Sequence, residues 1–224
     1  MDYDQALAFC ELLYGDESLE GEGDLFIEIV GIPPKVDGKA RARPSYTFYN
    51  SPQAAAEAAM KLAEQGINAY SCMSMINPKV KKGKRGTAKD AKAICGCWCD
   101  IDIASPDAPK NKNVPVNLSE AMKIARGTGV RPSLVVHSGH GIHAYWLFDK
   151  AWVFDDETDR LYAADVVRQW ELTVHESARQ FGRVLDSVGD LARILRVPGT
   201  VNTKVPSMPL PVRIIWPKEL AVAT

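Results

Sequence analysis

Residues 93–103, Ala-Ile-Cys-Gly-Cys-Trp-Cys-Asp-Ile-Asp-Ile, constrain the fold more than any other stretch of the 224-residue chain. The first seven carry no charge, as the middle of a buried sheet requires. Side chains alternate along a strand, so Cys95, Cys97, Cys99, Ile101 and Ile103 share an apolar face while Trp98, Asp100 and Asp102 share the other. Two carboxylates on one face repel each other and lose hydration unless a cation lies between them. A divalent metal is the natural occupant. A solvated strand end is the plain alternative, and the uncharged run before the pair argues against it.

With 46% hydrophobic and 25% charged residues, the chain can bury a sizeable core as one large domain or two intimate lobes. No apolar run approaches the roughly 20 residues that span a bilayer, and the first residues are acidic rather than signal-like, so a cytoplasmic protein with no membrane partner is expected. Five cysteines are an odd number, and the three on one strand face are poorly placed for pairing. Reduced, core-packed thiols are expected rather than a zinc knuckle, whose spacing is absent.

The net charge of −1 hides an asymmetry: residues 1–24 carry eight acids and no base, whereas residues 79–92 carry seven bases and one acid. A basic stretch just before the aspartate strand suits a polyanion that approaches it, with Lys81, Lys82, Lys84 and Arg85 as contacts. A solvated basic loop is the alternative reading.

Periodicity gives the remaining elements. Residues 4–14 have helical apolar spacing, 25–32 and 45–49 read as a strand pair, and Ser51-Pro52 opens a helix that Gly66 closes. Residues 67–76 read as a strand. After residue 102 follow a Pro- and Lys-containing loop and a helix capped at Asn117. Two strands, 133–138 and 142–148, meet at Gly139-His140-Gly141. A long helix over 156–182 has Leu161, Ala164, Trp170, Val174, Ala178 and Phe181 near one face. A short helix over 190–195 and a strand over 211–216 complete a βαββαβ order, with helices on one face and the other free for ligands.

Chemistry-bearing residues recur along this order. Three of the four histidines fall in 137–143, and alternation puts His143 and Tyr145 on the face away from Ile142, Ala144 and Trp146. The glycines before His143 let backbone N–H groups approach an anion. Arg193 and Arg196, three apart, would share a helix face and clamp a phosphate. Asp186 is the choice for a third carboxylate, with Asp190 still open.

Taken together, apolar-Asp-x-Asp at 99–102, Ser-Gly-x-Gly-x-His at 138–143, apolar-Asp at 185–186 and Arg-x-Pro-Gly-Thr-x-Asn-x-Lys at 196–204 form an ordered set. On these motifs the chain resembles the archaeo-eukaryotic primase superfamily, specifically the primase-polymerase domains of phage and plasmid replication proteins. The resemblance implies an α/β fold in which an N-terminal α/β unit, 1–92, packs on an RRM-like βαββαβ catalytic unit, 93–218, with a mostly antiparallel sheet and a tail, 219–224. It implies template-directed nucleotidyl transfer by Asp100, Asp102, Asp186 and His143, the three aspartates holding two Mg²⁺ or Mn²⁺ ions. Ser138 and His143 would meet the phosphates of the incoming nucleotide, and Arg193, Arg196, Asn202 and Lys204 would complete its site. The implied partners are single-stranded DNA template and primer, nucleoside triphosphates and a replicative helicase, fused or separate.

Two other readings compete. A rolling-circle initiator endonuclease needs His-apolar-His on one strand face, but His140 and His143 are three apart, and only Tyr162 could serve as nucleophile. A non-enzymatic RRM-type RNA-binding module would stack bases on sheet aromatics, and aspartates there would repel the ligand.

Overall fold

Local rules account for the first elements of the computed structural model, which describes residues 1–19, 25–36, 39–40, 42–77, 83–104 and 113–221. Asp2 caps helix α1 (Tyr3–Tyr14), accepting from the Gln5 amide at 3.2 Å, and Ala6, Phe9, Cys10 and Leu13 are buried at the expected spacing. Strands β1 (Ile27–Ile32), β2 (Lys35–Val36), β3 (Lys39–Ala40) and β4 (Ser45–Tyr49) follow. Ser51 then caps α2 (Pro52–Glu64), with Pro52 at its first position.

The expected strand over 67–76 is two strands, β5 (Asn68–Cys72) and β6 (Ser74–Ile76), which join different sheets on either side of Met73. The rest of the chain runs β7 (Ala91–Asp102), α3 (Leu118–Arg126), β8 (Leu134–His137), β9 (Gly141–Val153), α4 (Glu157–Gln180), β10 (Ile194–Arg196), β11 (Val201–Asn202), β12 (Leu210–Pro211), β13 (Arg213–Trp216) and α5 (Lys218–Ala221). No helix among the described residues is long and apolar enough to cross a membrane.

Two sheets dominate, ordered β10-β5-β1-β4 and β13-β8-β9-β7-β6, and every pairing in them is antiparallel. The central β7, β9 and β8 with α3 and α4 on one face are the RRM-like part of this α/β fold. The closing strand β13 lies beside β8, and the edge beside β7 is taken by β6. Each large sheet thus takes a strand from the other side of residue 92: β6 enters the five-stranded sheet and β10 the four-stranded one. One core, including Phe9, Ile29, Trp98 and Tyr145, runs between them.

Alternation along β7 holds from Trp98 onward. Cys99 and Ile101 pack with Ile142, Ala144 and Trp146 under α3 and α4, while Trp98 and Tyr145 face the other core. The register breaks between Ile94 and Gly96, so Cys95 stands out of phase. A Cβ at Gly96 would collide with the Trp146 carbonyl, which is why the strand has glycine there.

Three expectations change. The sheet face away from α3 and α4 is only partly open: Phe9 of α1 meets Tyr145 edge-on at 5.7 Å, leaving the Asp100 and Asp102 end uncovered. On α4 the buried stripe is Ala163, Val167, Glu171, Val174 and Ala178, whereas Leu161 and Phe181 are exposed. Small residues let this helix approach its sheet closely, and bulky apolar residues were the wrong guide. Residues 194–196 form a strand, not a helix, because the open edge of β5 supplies hydrogen-bond partners that outweigh local preference. Leu195 is buried between Ile194 and Arg196, the period of a strand.

All five cysteines are free, as expected, and all but Cys95 are buried. Burial pushes Cys10, Cys72, Cys95 and Cys97 up to about 12 and holds Cys99 well above the usual thiol range.

Candidate active site

Asp100 on β7 lies directly across from His143 on β9, with Asp100 Oδ1 3.7 Å from His143 Nε2. The Asp100 side chain is one-third exposed. Burial pushes its carboxyl up to about 7, Asp102 adds to the rise, and Arg196 and Arg193 oppose it; Asp186 raises it further. Asp102 is exposed at the end of β7, and Asp186 is exposed on the loop after α4. Asp190 is paired with Arg193 at 2.9 Å.

Among the described residues, no three His, Cys, Asp or Glu side chains converge as a ligand group. The donors fit a hard divalent cation all the same. Mg²⁺ keeps waters and is held by one or two carboxylates together with substrate phosphates, not by an all-protein cage. Asp100 and Asp102 supply such a carboxylate pair, and the burial of Asp100 and its repulsion by Asp102 are what a cation relieves.

His143 is 2% exposed, and burial first, then Arg196 and His137, hold its imidazole down at about 3. It is therefore neutral near pH 7 and can offer an N–H but no charge. The cations are arginines. Arg196 lies over the Tyr70 ring with its guanidinium carbon 4.8 Å from the centroid, and Arg193 donates to the carbonyls of Val188 and Ser187. The two share no helix face, yet both charges act on Asp100. Three buried polar atoms around this aspartate lack a hydrogen-bond partner: His143 Nδ1, the Tyr145 hydroxyl and Arg196 Nε. Buried groups are rarely left unpaired, so such a cluster marks a place prepared for a polar ligand.

The 138–141 turn borders this site. Ser138 is buried, and its carbonyl accepts from Asn202 Nδ2 at 2.7 Å, while Asn202 Oδ1 accepts from the Lys204 amide at 3.0 Å. Asn202 thus braces the turn, and the Lys204 side chain is left exposed. Gly139 has φ 96°, the left-handed region, and a Cβ there would press on Asn202 and Leu210.

Sequence reasoning missed Glu171 and Tyr70. Glu171, 3% exposed, accepts from the amides of Val188 and Gly189 and from the Ser187 hydroxyl, so it fixes the loop that carries Asp186. Its signal was an acid in the middle of a buried helix stripe. Tyr70 is the platform for Arg196; only the fold brings β5 and β10 together.

The basic stretch divides. Lys81 and Lys82 lie outside the described residues, and Lys84 is exposed. Arg85 is half-buried, and its charge acts on Glu28, a fully buried acid that accepts from the Gly86 amide at 2.9 Å and is raised by burial.

No protein-family model and no curated protein matches the sequence. Among solved structures, the AEP domain of the cyanophage S-2L primase-polymerase aligns with a TM-score of 0.59 over 93% of this chain and 88% of its own, at 14% identity. The chain has the archaeo-eukaryotic primase fold. The catalytic domain of primase RepB′, in complex with initiator DNA, aligns with a TM-score of 0.48 and 13% identity over 96% of this chain and 85% of that one. At these identities the likeness lies in the fold rather than the sequence. In this primase fold β7 and β9 present Asp100 and His143 side by side at the uncovered end of the five-stranded sheet.

Proposed function

We propose that the chain is a DNA primase-polymerase, joining nucleotides from (d)NTPs by template-directed, metal-dependent transfer in phage or plasmid replication. One observation carries this reading: Asp100, held near neutrality by burial and by Asp102, faces two arginines and three unpartnered buried polar atoms. That mixture of dehydrated anions and fixed cations suits a metal-bound triphosphate. Asp100 and Asp102 would hold Mg²⁺ or Mn²⁺ together with the substrate phosphates, while Asp186, on the loop after α4, would add negative charge without closing a three-carboxylate cage. When bound, the ions lower the pKa of the attacking 3′-hydroxyl and neutralise charge on the leaving pyrophosphate. Arg196 and Arg193 would bring positive charge to the phosphates, His143 would donate an uncharged N–H, and Ser138 and Lys204 would complete the nucleotide site. Asn202 holds the turn in register, and Lys84, with Lys81 and Lys82 before it in sequence, would meet the phosphates of template or primer. A replicative helicase would supply the single strand.

The rivals lose ground on particular residues. Trp98 and Tyr145, the aromatics an RNA-binding sheet would stack on, are 2% and 1% exposed. Tyr162, the endonuclease nucleophile, packs against Trp152, on the order of 30 Å along β9 from His143. Extension of a primed template with Mn²⁺ is the test. Asp100→Ala with Asp102→Ala should lower it by about three orders of magnitude while the fold persists. Undiminished synthesis by that variant would refute the assignment.

A further inference from the structure

Behind the catalytic sheet, at the edge formed by β8 and β13, lies a cavity of about 260 Å³ lined by Met122, Arg126, Arg131, Pro132, Val135 and Trp216. Val135 belongs to the cluster that includes Cys99 and Ile101, so the cavity opens on the sheet face opposite to Asp100. Arg126 and Arg131 are exposed, and neither pairs with an acid among the described residues. Arg126 ends α3, where the helix dipole favours a cation without any ligand. Arg131 has no such reason to be there.

The cavity wall is built to stay in place. Trp216 donates its indole N–H to the Pro132 carbonyl at 3.2 Å, and Trp146 donates to the Val130 carbonyl at 3.1 Å, so two indoles pin the 130–132 segment. Arg126 lies over the Trp216 ring, its guanidinium carbon 5.6 Å from the centroid. Guanidinium planes and indoles both stack on bases, so this pair forms one platform above an apolar floor of Met122, Pro132 and Val135. The volume falls just under the roughly 300–1,000 Å³ of ordinary small-ligand sites, enough for one flat ring and its attached groups.

We propose that this cavity is a second nucleic-acid site, which takes one base of a single DNA strand against Trp216 and Arg126 while Arg126 and Arg131 hold the adjoining phosphates. Aromatic stacking beside fixed arginines is how single strands are gripped without sequence preference. The choice of DNA as ligand rests on the primase-polymerase reading; the cavity's shape and charge do not. Because it lies behind the sheet, the site holds a part of the strand away from the reacting end and keeps template and enzyme together between additions.

Fluorescence anisotropy with a labelled short oligothymidylate tests this, using the full chain and Arg126→Ala with Arg131→Ala. The arginine variant should bind about tenfold more weakly or worse, with an unchanged melting temperature, and its salt dependence should flatten. Parental affinity in the arginine variant overturns the proposal, whatever the extension assay gives. Weakened binding alongside a parent chain that extends no primer leaves the cavity standing and removes the polymerase reading. Competition by free nucleoside triphosphate at equal concentration overturns the strand in favour of a mononucleotide. Should the double variant melt early, Arg131→Gln alone is read against the same outcomes.

Discussion

Asp100 and His143 face each other with opposite responses to dehydration, and their pH dependences oppose. Asp100 ionises near 3.8 in the open chain and at about 7 in the fold, so its contribution to stability is full below about pH 4 and lost as pH rises through 7. His143 moves from 6.5 to about 3, so its contribution is full above about pH 6.5 and lost as pH falls toward 3. Asp100→Asn should therefore melt increasingly above the parent from about pH 5 to about pH 8, and parallel curves over that range would contradict the raised carboxyl. Glu171 makes a different prediction. Glu171→Ala strands the amides of Val188 and Gly189, costing about 3 kcal/mol in denaturant titration. It should also depress nucleotidyl transfer, since the loop carrying Asp186 loses its anchor.

The β8–β9 hairpin joins the sheet to Asn202 and Leu210 through one turn. Gly139→Ala puts a side chain at φ 96° and against Asn202, a strain of about 1–3 kcal/mol. The expected result is a raised KM for nucleotide with a smaller change in kcat; an unchanged KM would mean the turn takes no part in binding. Elements of this kind were readable from the chain wherever a local rule was strong. The Ser51-Pro52 start, the Asn117 cap and the alternation around Asp100 all appear where periodicity puts them. What escaped was set by distant partners. Residues 194–196 became a strand because β5 had an open edge, and 67–76 split because its two halves serve different sheets. Glu171 and Tyr70 matter only through residues far away in sequence, the loop at 187–189 and Arg196.

At the scale of the molecule, the exchange of β6 and β10 between sheets ties the two halves into one cooperative body, with a core shared by Phe9, Ile29 and Trp98. The thiols record that arrangement. Cys10 is on α1, Cys72 on β5 and the other three on β7, and every one is held in its unreactive protonated form by burial. A maleimide added to the native protein should therefore wait for global opening before it modifies the four buried thiols, Cys10, Cys72, Cys97 and Cys99, in a single kinetic phase. Early capture of Cys10 and Cys72 alone would reveal that the amino-terminal half breathes by itself. The cysteines thus amount to a clock already installed across both halves, which times how often the molecule comes apart without any label being engineered into it.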